Sequence, residues 1–100
     1  MNTNLKNIRK NILNLTYKAK SSHVGSCLSI VEILVALYFY ILKKKDKFIL
    51  SKGHAALALY STLFEKKIIS KKILNSFGSN NTILMNHVSN KVKGVEFSTG

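Results

Sequence analysis

The feature that most constrains this chain is a run of thirteen residues, 30–42 (IVEILVALYFYIL), in which Glu32 is the one charged side chain. At 1.5 Å per residue such a helix reaches roughly 20 Å, short of the ~30 Å hydrocarbon core of a bilayer. It therefore reads as a helix buried in protein. Apolar on every side apart from Glu32, it should be the central, enclosed helix of the segment. Ser29, three residues before Glu32, matches a capping box, in which the Ser oxygen accepts from the third helical N–H and the Glu returns to the Ser N–H. The helix should then start near Ile30.

Around this run the chain has room for one domain, since one hundred residues bury roughly 65% of the unfolded surface. With 46% apolar residues and nine aromatics it is not a disordered sequence. The net charge of +12 brings nucleic acid and anionic membranes forward as partners. Fifteen Lys against one Arg, with ten Asn and ten Ile, is also the bias of AT-rich coding sequence, which accounts for the charge without a polyanion. Residues 1–11 carry basic side chains without an apolar stretch behind them, so they do not read as a secretory signal. Cys27 is the single cysteine, so there is no disulfide framework and the chain reads as cytoplasmic.

In chain order, Leu5, Ile8, Ile12, Leu15 and Ala19 recur at three- and four-residue steps. Lys6, Lys10, Asn11 and Lys18 fall between them, which predicts an amphipathic helix capped by Thr3 or Asn4. Residues 21–26 (SSHVGS) break that pattern and read as a loop. The basic stretch 43–47 (KKKDK) reads as a solvated turn after the apolar helix.

Residues 48–50 (FIL) then read as a short buried strand, 51–54 (SKGH) as a polar break, and 55–65 (AALALYSTLFE) as a helix of strong helix formers. A strand that turns through glycine into a helix aims free N–H groups and the positive end of the helix dipole at one point, where an anion such as phosphate is favoured. Lys52, Gly53 and His54 stand there. Lys66 and Lys67 follow, Ser70 should cap a short helix to about Phe77, and residues 78–82 form a loop. From 83 to 100 no period is sustained, as in an ordered excursion across a surface or into a site.

All three histidines lie in breaks: His23, His54 and His87. Imidazoles near a pKa of about 6.5 can donate, accept or carry charge, so loops that brought them together would suit a polar, phosphorylated substrate. The alternative is three exposed loop histidines with no shared role. Cys27 with the three histidines could also be read as a zinc set. No paired Cys-x-x-Cys or His-x-x-x-His element supports that reading, and Cys27 reads better as a small packed residue.

Three stretches carry a resemblance. Ser21-Ser22-His23-Val24-Gly25-Ser26-Cys27-Leu28-Ser29, Asp46-Lys47-Phe48-Ile49-Leu50-Ser51-Lys52-Gly53-His54-Ala55-Ala56, and Gly94-Val95-Glu96-Phe97-Ser98-Thr99-Gly100 resemble consecutive signatures of the transketolase family, in its order and at about its spacing. The similarity runs from near Ile8 to Gly100. It is nearest to the short N-terminal subunit of transketolases split over two chains.

The resemblance implies an α/β thiamine-diphosphate-binding fold. Residues 1–100 would be its N-terminal, incomplete portion, mainly helical with one short parallel-type strand. It implies transfer of a two-carbon ketol unit from a ketose phosphate to an aldose phosphate through thiamine diphosphate. Its implied partners are sugar phosphates and a C-terminal subunit carrying the pyrimidine-binding half, in a dimer or heterotetramer, without nucleic acid or membrane. It implies catalytic His23 and His87 in the sugar channel, His54 and Gly53 against the cofactor diphosphate, and Gly100 where the chain begins to wrap the cofactor. It places the Mg²⁺ ligands outside these residues, since the family's Gly-Asp-Gly motif and downstream Asn follow the position of Gly100.

The sequence departs from the family in four places. Val24 and Val88 stand where many members have proline, Asn86 where a glycine is frequent, and Leu57 where proline often opens the helix. The two histidine loops therefore lack a fixed φ. Two other functions are compatible with the sequence: a truncated, non-catalytic remnant of the same fold, and a basic module for nucleic acid or an anionic surface.

Overall fold

The structure, a computed structural model, describes residues 2–19, 24–43, 46, 48 and 55–77. Among them the chain is helical: α1 (Asn2–Ala19), α2 (Val24–Leu28), α3 (Val31–Ala36), a π-helical segment (Leu37–Ile41), α4 (Ala56–Glu65) and α5 (Lys71–Asn75).

Helix α1 forms as its periodicity predicts. Ile8, Ile12 and Leu15 are buried, with Leu5 packed beside them. Thr16 joins the buried face. The helix starts one residue before Thr3 and two before Asn4, so both expected caps lie inside it.

The enclosed helix is α4, not the apolar run at 30–42. Every residue from Ala55 to Leu63 is buried, and α1, α2, α3 and α5 all pack against α4. Four of those nine residues are Ala or Ser, and small side chains let neighbouring helices approach closely. Leu59, Tyr60 and Leu63 fill the space between, each contributing about 1.5–3 kcal/mol by burial. Tyr60 meets Phe77 at a centroid distance of 6.5 Å, which fixes the chain after α5 to the same core.

The apolar run itself is divided. Val31, Leu34 and Val35 face the core, while Ile33, Tyr40 and Ile41 are 59%, 61% and 59% exposed. After Ala36 the hydrogen bonding widens to i→i+5, as Leu42 N–H donates to Leu37 C=O at 2.7 Å. Leu42 then turns extended, at φ −64° and ψ 130°. Tyr38 makes an edge-on contact with Phe48, and Lys66 Nζ lies 4.9 Å from the Phe39 ring centroid.

The capping box does not form. Ser29 lies in the turn after α2 and its Oγ donates to Ser26 C=O at 2.9 Å, so Ile30 takes the cap position with no side-chain acceptor. Glu32 instead pairs with Arg9 of α1. That ion pair links α3 to α1. Of the loop expected at 21–26, Val24, Gly25 and Ser26 are instead helical, in α2, which buries Cys27, and residues 21–23 lie outside the described residues.

The expected strand at 48–50 is not present in its described part: Phe48 has no strand pairing, and Ile49 and Leu50 lie outside the described residues. In the basic turn, Lys43 N–H donates to Asp46 Oδ2 at 2.8 Å and Asp46 N–H to Lys43 C=O at 2.9 Å.

Two helix ends are locally determined. Ser70 caps α5 as expected, its Oγ accepting from Ile73 N–H at 3.2 Å, although the helix stops at Asn75. At the end of α4, Ile68 N–H reaches Leu63 C=O at 2.8 Å and Lys67 N–H reaches Phe64 C=O at 2.9 Å. This is the Schellman arrangement. It holds Lys67 at φ 67°, a left-handed conformation in which glycine is usual.

Candidate functional site

The sequence places its anion site where residues 51–54 enter α4. Lys52, Gly53 and His54 lie outside the described residues, as do His23, His87 and Gly100. The described frame begins at Ala55, directly after His54, and at Val24, directly after His23.

Ala55 opens α4 at φ −93° and ψ 26° and carries no capping oxygen. The first-turn N–H groups of Ala56, Leu57 and Ala58 therefore face back along the helix axis without a cap from that residue. A helix of ten residues carries a partial positive charge at this end, which favours an anion. Leu57 occupies the position where the resembling family often has proline, and the helix forms there with Leu57 buried.

At the other break, α2 begins immediately after His23. Gly25 lies in α2, and a Cβ placed on it would meet nothing within 4 Å. The glycine of that motif thus has no steric duty among the described residues. Cys27 is buried in the core cluster with Ile8, Ile12 and Val31, the position of a packed residue.

The described acids are already engaged. Glu32 pairs with Arg9, Asp46 accepts from Lys43 N–H, and Glu65 Oε2 accepts from Asn7 Nδ2 at 3.1 Å. Among the described residues no group of three or more His, Cys, Asp or Glu could hold a metal ion. A divalent cation on a diphosphate at the start of α4 would need other ligands. The Arg9–Glu32 and Asn7–Glu65 pairs were not readable from sequence, because each joins residues remote along the chain with no local signature.

A polar groove of about 420 Å³ lies among α1, α4 and α5, lined by Asn7, Asn11, Asn14, Phe64, Glu65 and Lys71 among others. It sits at the C-terminal end of α4, the end remote from Ala55. No described helix is long and apolar enough to cross a membrane.

Comparison with known proteins assigns the chain to a family. Residues 2–100 match the family described as transketolase, thiamine diphosphate binding domain. An apulose-4-phosphate transketolase subunit of Phocaeicola vulgatus is 40% identical over 101 residues, an alignment covering 92% of this chain and 36% of the relative. The 6-deoxy-6-sulfo-D-fructose transketolase subunit SqwG of a Clostridium species is 35% identical, covering 93% of this chain and 38% of the relative. Human transketolase is 30% identical, with 93% of this chain and 16% of the relative covered. The chain thus spans well under half the length of these relatives. No solved structure matches it. The match over residues 2–100 spans all three motif stretches, and the chain belongs to the transketolase family through its thiamine diphosphate binding domain.

Proposed function

We propose that this chain is the N-terminal part of a transketolase-like transferase that moves a two-carbon ketol unit from a ketose phosphate to an aldose phosphate with thiamine diphosphate as cofactor. The observation that carries the proposal is the family match over residues 2–100, a span that includes His23, His54 and His87. Relatives named as one subunit of a transketolase support a second chain as partner. That partner would carry the pyrimidine-binding half, in a dimer or heterotetramer.

Thiamine diphosphate, when bound, supplies the electron sink that carbon–carbon cleavage needs. This chain's residues would hold and orient. His54 and the Gly53 backbone would meet the diphosphate at the start of α4, where Ala55 offers no capping side chain. His23 and His87 would line the sugar channel and hydrogen-bond the substrate, and Gly100 would stand where the chain starts around the cofactor. Mg²⁺ would be held by residues outside this segment, since the family's Gly-Asp-Gly motif follows the position of Gly100; the described acids Glu32, Asp46 and Glu65 are each engaged with another group.

Two measurements test this. In the assembled two-subunit enzyme, His54→Ala should weaken cofactor binding by about 1–3 kcal/mol, the scale of a lost charge-assisted hydrogen bond. His23→Ala and His87→Ala should instead lower kcat or raise the sugar KM with cofactor affinity nearly intact. Equal effects of all three on cofactor affinity would refute the division of roles. The chain alone, titrated calorimetrically with thiamine diphosphate and Mg²⁺, should bind weakly or not at all, since the diphosphate charges lack a compensating cation site. Micromolar binding by a folded monomer would overturn the assignment of the metal ligands to other residues.

A further inference from the structure

We draw no further inference here: the strongest candidate, the polar groove among α1, α4 and α5 lined by Asn7, Asn11, Asn14, Phe64, Glu65 and Lys71, carries nothing, because nothing in the structure shows what covers it in a chain that spans well under half the length of its relatives.

Discussion

Asn7 of α1 donates its side-chain N–H to Glu65 Oε2 of α4 at 3.1 Å, joining residues 58 apart in sequence. The bond is partly buried and its acceptor is a carboxylate, which puts it among the stronger hydrogen bonds. It fixes the first half of α1 against the last turn of the buried helix. Asn7→Ala should therefore cost about 1–2 kcal/mol, read from the urea midpoint at unchanged slope. Asn7→Asp should cost more, because it sets two carboxylates against each other. An unshifted midpoint for both variants would show that the contact contributes nothing.

The assignment of α4 as the enclosed helix predicts a contrast between two aliphatic side chains. Leu63 is fully buried and Ile33 is 59% exposed. Leu63→Ala should lose about 2–5 kcal/mol, from lost burial and the cavity left behind. Ile33→Ala should stay within about 0.5 kcal/mol, as surface substitutions do. Comparable losses in thermal or urea unfolding would mean that the apolar run at 30–42 is enclosed after all.

Lys67 stands at the left-handed position of the Schellman end of α4, at φ 67°. A Cβ at that dihedral costs on the order of 1–2 kcal/mol, and glycine avoids most of it at a smaller entropic cost. Lys67→Gly should thus raise stability by about 0.5–1 kcal/mol, the net of the two. A fall in the thermal midpoint would mean that the lysine side chain holds an interaction worth more than the strain.

Sequence periodicity sufficed where an element's own residues decide it. The α1 stripe of Ile8, Ile12 and Leu15 and the Ser70 cap, three residues before Ile73, are local patterns and both form. It failed where tertiary partners compete. Ser29 and Glu32 have the spacing of a capping box, yet Arg9 on another helix takes the carboxylate and Ser26 C=O takes the hydroxyl proton. Hydrophobicity alone also misranked the two apolar helices, because enclosure depends on how closely neighbours can approach, and the small residues of α4 permit what Tyr38, Phe39 and Tyr40 do not. The motifs that carry the family were legible as residue patterns. The distances among their histidines were not, since they depend on how separate loops converge, and those residues lie outside the described part of the chain.

The widened turn at Leu37–Ile41 gives this helix an allowance in length. A π turn holds one residue more than an α turn needs to climb the same distance, so the segment carries a spare position between the core-facing Val35 and the exit at Leu42. A sequence one residue shorter there could close into an ordinary α-helix while Val31, Leu34 and Val35 kept their places. The same deletion inside α4, where every residue from Ala56 to Leu63 is buried, would turn the following side chains by about 100° out of the core. In this chain a one-residue deletion is therefore expected to be tolerated at the exposed end of one helix and to disrupt packing in the middle of the other.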